Sequence, residues 1–320
     1  MSTNVLAGLV PAPHSSSPAV DYQAGQRLTD IVPLAVELSD LKRVRDASSP
    51  DSLASRLFRS TWSALLAGHA PDQVAGIATA QALAAARLGG IDASVLATAG
   101  LTRDEARMVL RRSFDEVASP LEPNQASHLR VTFSQDLTSG PVPALAEALI
   151  RQPRAGATCP GKPRIVLEPP ENHGDHCMIV AVLGYVLAPR YAANPATAFL
   201  AGMAHHLHNV ALPDSGFAGE ILLGNHLATI IQRLFARELA TLPRDLRAAT
   251  EAALAHIPDA TTPVGRAFHA ADVIDRVLQM VHFDQVAGFT IDQALDDMDL
   301  VHAGPTQAFH HAVLLDAGLP

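Results

Sequence analysis

Cysteine is scarce in this chain: Cys159 and Cys177 are the only two among 320 residues. Two thiols are too few for a disulfide framework, so both read as buried or incidental thiols in a reducing compartment. No run of about 18 uninterrupted apolar residues occurs, which argues against a membrane-spanning helix. Met1 to Val20 has neither the basic start nor the long apolar centre of a secretion signal, so a cytoplasmic location is expected. Basic runs are short as well. The longest is Lys42-Arg43-Val44-Arg45, in a chain of net charge −9, so neither nucleic acid nor a membrane is expected as a partner and a small-molecule substrate or ligand is.

β-Branched runs are also rare, while Ala, Leu and Arg are prominent and apolar residues recur at spacings of three and four, which predicts an all-α protein. At 48% hydrophobic residues the chain can bury a real core and fold alone. Residues 1–20 are expected to be disordered and 21–150 to form a helical region for support or regulation, with helices over 30–45, 51–68, 71–88, 91–99, 102–117 and 142–151. Ser49-Pro50 and Thr102 read as caps, and Gly89-Gly90 and Gly100 as ends. Five prolines and three glycines between Arg151 and Asp175 break any helix. Residues 151–172 therefore read as a linker, with a short strand at Arg164 to Glu168, ahead of a helical domain over 173–320. A faint echo of His69-Ala-Pro-Asp-Gln-Val-Ala in His176-Cys-Met-Ile-Val-Ala is ascribed to shared helical composition rather than duplication.

Histidine is abundant where cysteine is not. Twelve of the fifteen lie from His173 onward. His176 opens the apolar segment Cys177 to Ala188, which marks a buried helix. Asn194-Pro195 starts the next helix, which ends in Ala204-His205-His206-Leu207-His208-Asn209. His226 shares the apolar stripe of a helix expected over 217–240, His256 sits at the edge of another stripe, and Asp275 lies within a stripe that Asp272 borders. An imidazole buried without a partner costs about 1–3 kcal/mol, so several inward groups together point to a shared one. Imidazole and carboxylate ligands without a cysteine pair suit a divalent transition metal such as Fe, Mn, Co, Ni or Zn.

The order His176, then Leu200-Ala-Gly-Met-Ala-His205-His206-Leu-His208-Asn209, then Ala271-Asp272 resembles the HD superfamily of metal-dependent phosphohydrolases, over roughly residues 173–280. The stretches Val210 to Ser215 and Ala271 to Asp275 look like its cyclic-dinucleotide phosphodiesterase branch, although that branch's Gly-Tyr-Pro motif is missing. The resemblance implies an HD-like helical bundle in the C-terminal half and metal ligands at His176, His205, His206 and Asp272, with His226 and His256 in the order of second-metal ligands. One departure is central: His206 stands where the family's dyad has Asp. A neutral imidazole has one free lone pair and cannot bridge two ions, so a mononuclear site is the simpler expectation, and a dinuclear one would need Asp272, Asp275 or water as its bridge.

Hydrolysis of a phosphoester or nucleotide-like small molecule is the function this implies. His208 or His269 is the expected general acid–base, and Arg190, Arg266 or Lys162 would orient phosphate. Two alternatives are a catalytically degenerate HD domain that binds a ligand or regulates, and an HD-fold iron-dependent oxygenase. The apolar segment Phe309 to Leu315 closes the core by default, with a contact in a homo-oligomer as the alternative.

Overall fold

In the computed structural model, residues 27–286 and 290–320 are described, so the segment 1–20 expected to be disordered lies outside the described residues. The all-α expectation holds: the described residues form α1 (Leu28–Asp40), α2 (Leu53–Leu66), α3 (Pro71–Leu88), α4 (Ala93–Thr98), α5 (Arg103–Val117), α6 (Pro123–Thr132), α7 (Ala144–Arg151), α8 (His173–Leu187), α9 (Pro195–Ala204), α10 (Gly216–Leu223), α11 (Leu227–Leu239), α12 (Arg244–Leu254), α13 (Pro263–Val286) and α14 (Gln307–Ala317). No helix among the described residues is long and apolar enough to cross a membrane.

Local chemistry sets most of these boundaries. Ser52, rather than the expected Ser49, caps α2 by accepting from the Ser55 amide, Thr102 caps α5 by accepting from the Glu105 amide, and Asn194 caps α9 by accepting from Thr197 N at 2.9 Å. Each of these satisfies an amide that the first turn would leave unpaired. The expected strand at Arg164 to Glu168 does not form. Pro163 and Pro169 flank it and offer no amide hydrogens, so only an isolated bridge between Ala157 and Ile165 remains. The single helix expected over 217–240 is broken as well, because Gly224 adopts φ +51° and separates α10 from α11.

All fifteen residues of α8 are buried, as its all-round apolar sequence requires. Helices α9 and α13 of the C-terminal half pack on it, and so do α2, α3 and α7 of the N-terminal half, giving one hydrophobic core that both halves share. Gly202 permits the tight crossing of α8 and α9: a Cβ there would meet Ala181 Cα at 2.5 Å. In α14, Phe309, Val313 and Leu314 are buried and Leu315 is 82% exposed, so this segment closes the core.

Candidate metal centre

Three helix positions converge because α8 and α9 run as a hairpin and α13 lies across them. His176 lies in the first turns of α8, whose N-cap Asn172 accepts from Asp175 N at 2.8 Å. His205 is the C-cap residue of α9 and His206 follows it. Asp272 and Asp275, one turn apart, project from α13. The ligand nitrogens of His176, His205 and His206 all lie within 4.8 Å of one another.

The hydrogen bonds behind these rings determine which nitrogen faces the centre. His176 Nδ1–H donates to Asp275 Oδ2 at 2.8 Å, and His205 Nδ1–H to the Gly202 carbonyl at 2.7 Å. His206 Nδ1–H donates to Asn209 Oδ1 at 2.8 Å, an assignment supported by Asn209 Nδ2 donating to Leu212 O at 3.0 Å. An imidazole whose Nδ1 donates outward presents the Nε2 lone pair, the arrangement in which histidine binds a metal. His176 Nε2 and His205 Nε2 thus face each other at 3.1 Å, and Asp272 Oδ1 is 3.3 Å from His176 Nε2. Two bare lone pairs at that distance repel unless a cation lies between them. Ligand atoms about 2.0–2.2 Å from one ion sit roughly 3.0–3.4 Å apart, so these separations fit a metal.

Burial keeps the His205 and His206 rings neutral. It pulls His205 down to about 3, with the neighbouring His176 acting in the same direction, and it holds His206 well below the ordinary imidazole range. Burial pushes Asp272 upward, but its interactions with His176 and Arg276 outweigh it and leave the carboxylate well below its usual range. The cluster therefore offers imidazole nitrogens and one carboxylate, a donor set suited to a divalent ion.

The other histidines of the sequence reading fall elsewhere. His226 is exposed in the 3-10 turn after Gly224, because the break between α10 and α11 shifts the register that would have turned it inward. His256 is half-buried beyond the end of α12, without a contact to the cluster. His208 packs against Phe235 with ring centroids 5.0 Å apart; its ring lies 5.7 Å from that of His206, and burial lowers it to about 4. His269 donates from Nε2 to Ile257 O at 2.7 Å and accepts at Nδ1 from His310 at 3.3 Å, so its ring is engaged in the core. Cys177 is buried, which pushes its thiol up, and Cys159 is half-buried.

A cavity of about 270 Å³ opens beside the centre, lined among others by Arg154, His205, His206, Asp214, Asp272 and Arg276. Arg190 pairs with Asp316, Arg266 lies over Tyr191 and Phe309, and Lys162 pairs with Asp297 on the surface; none of the three lines this cavity. Arg154 Nη1 is buried without a hydrogen-bond partner. Asp275 accepts from His176 and pairs with Lys42 at 2.7 Å, and Lys42 pairs in turn with Glu171 at 2.7 Å.

Sequence reasoning passed over Lys42, Arg154 and Glu171 and gave His173 no role. His173 is wholly buried, 4.5 Å from His206 between ring centroids, and neither of its nitrogens has a hydrogen bond. Its position at an N-cap plus one, beside His176, was a signal available in the sequence. Compared with known proteins, the chain matches no protein-family model, no curated protein and no solved structure.

Proposed function

We propose that this chain is a metal-dependent hydrolase of a small phosphoester or nucleotide-like molecule, with a mononuclear centre held by His176, His205, His206 and Asp272. The observation that carries the reading is the set of outward-donating Nδ1 atoms at all three imidazoles, which leaves their Nε2 lone pairs for a shared cation at the edge of the cavity. The HD-like order of these residues supports it. When bound, a divalent transition ion supplies the Lewis acidity that makes water nucleophilic near neutral pH and neutralises charge on a phosphoryl oxygen.

The chain's own cations do the orienting. Arg154, whose buried Nη1 has no hydrogen-bond partner, lines the cavity, and Arg276, fixed by donating to Leu300 O at 2.5 Å, stands 3.7 Å from Asp272. Guanidinium groups match phosphate geometry, so these two replace Arg190, Arg266 and Lys162 in that role. His226 and His256 stand apart from the cluster, which favours one ion over the six-ligand di-iron centre of the oxygenase reading.

Elemental analysis of protein purified without added metal tests this directly, together with phosphate release from p-nitrophenyl phosphate and its bis-ester. One Mn, Co, Ni or Zn ion per chain, turnover, and loss of both in His205→Ala are expected. No stoichiometric metal, even after incubation with those ions, would sink the proposal. Metal without turnover of any phosphoester would favour a ligand-binding module, and two irons with oxygen consumption an oxygenase.

A further inference from the structure

The ligand atoms of Glu171, His176 and Asp275 also lie within 4.8 Å of one another, a second grouping that resembles a cation site. A cation already belongs to it. Lys42 Nζ sits 2.7 Å from Glu171 Oε1 and 2.7 Å from Asp275 Oδ1, and the side chains of Lys42, Asp275 and Glu171 are only 2%, 1% and 7% exposed. Lys42 follows α1, in the region expected to give support or regulation, whereas the metal cluster belongs entirely to the C-terminal half.

We infer that Lys42 is a positioning residue for the metal centre, acting through Asp275 on the tautomer of His176. The inference rests on the metal-centre reading and extends it to the N-terminal half. Lys42 engages Oδ1 of Asp275 and so turns Oδ2 toward His176 Nδ1, 2.8 Å away. That hydrogen bond keeps the proton on Nδ1 and the lone pair on Nε2, where Asp272 and His205 converge. Glu171 balances the added charge, so the ammonium orients the carboxylate without leaving a net positive charge beside the ion. Arg154 Nε lies 3.8 Å from Glu171 Oε2, which ties the same chain of contacts to the cavity wall.

Removing an orienting partner of this kind typically weakens metal binding by about 10- to 100-fold. The test is a double-mutant cycle on the full chain, with Lys42→Met, Asp275→Asn and the pair, read as Zn²⁺ affinity by chelator competition and as the visible spectrum of the Co²⁺-loaded protein. Weaker binding is expected in each single variant, and the double variant should lose no more than Asp275→Asn alone, because Lys42 acts through that carboxylate. A shifted Co²⁺ spectrum in Lys42→Met would report a changed imidazole, which a purely structural role would leave alone. Lys42→Gln leaves a polar amide in the buried site but is one bond too short to reach Asp275 and carries no charge, so it serves if Lys42→Met does not fold; it too should bind more weakly than wild type. Additive losses, or a Lys42 variant that binds as tightly as wild type or tighter, would overturn the inference while leaving the metal centre standing. A wild-type chain that takes up neither ion would instead remove the metal reading itself.

Discussion

At the scale of the residue, His206 limits the kind of centre the proposed site can form. Its Nδ1–H donates to Asn209, whose amide is anchored on Leu212 O, so the ring is held for monodentate ligation through Nε2. An aspartate at this position would be shorter, would lack the donor, and would leave Asn209 Oδ1 without its partner, at a cost of about 1–3 kcal/mol for a buried polar atom. His206→Asp is therefore expected to weaken Zn²⁺ binding in a chelator competition and to abolish phosphoester turnover, even though it recreates the HD dyad. A gain of turnover in that variant would mean that the site is a degraded two-metal centre. The clustered imidazoles were legible in the sequence because polar rings inside apolar runs stand out. Lys42 was not, because it sits in a short basic run that resembles a solvated patch and its partners Glu171 and Asp275 lie far along the chain.

At the scale of the element, the α8–α9 hairpin delivers the cluster, and its closeness depends on Gly202. Because Ala181 Cα would lie 2.5 Å from a Cβ at that position, Gly202→Ala must push α9 away from α8. Overpacking of this kind costs roughly 1–3 kcal/mol. It also shifts the carbonyl that receives His205 Nδ1–H. Thermal denaturation and Zn²⁺ titration should show a lower midpoint together with weaker binding; a variant that lost stability but kept wild-type affinity would show that the crossing does not position His205. Caps and prolines made α5 and α9 readable in advance, since the same side chains that stop the preceding segment satisfy the first turn. The break at Gly224 was hidden, because the apolar spacing of Leu222, His226 and Ile230 continues across it. A positive φ has no signature in periodicity, so His226 was assigned to the core and α10, with Leu222 88% exposed, was read as part of a longer buried helix.

At the scale of the whole molecule, the burial of so many imidazoles links stability to pH. Desolvation lowers His310 to about 3, as it lowers His205 to about 3 and His208 to about 4. Unfolding returns each to its ordinary value near 6.5, so below that pH the unfolded chain binds protons that the fold refuses. Their contribution is complete above about pH 6.5 and is lost as the pH falls toward the folded values. Asp175 runs the other way: burial, against the hydrogen bonds of Ser52 and Ser55, raises it to about 6, so its contribution is present at low pH and lost as the pH rises through 6. Three imidazoles outweigh one carboxyl between pH 7 and 5, and the chelator-treated protein should unfold at a lower temperature at pH 5. His310 is outside the proposed ligand set; it is 7% exposed and donates from Nε2 to His269 Nδ1 at 3.3 Å. At pH 5 its share is about 2 kcal/mol, from roughly 1.5 pH units below the ordinary value at about 1.4 kcal/mol each. His310→Gln keeps a donor for His269 but cannot titrate, so its stability should fall by about that much less between pH 7 and pH 5. Parallel losses in the two proteins, followed by calorimetry, would show that the His310 ring accepts its proton within the fold.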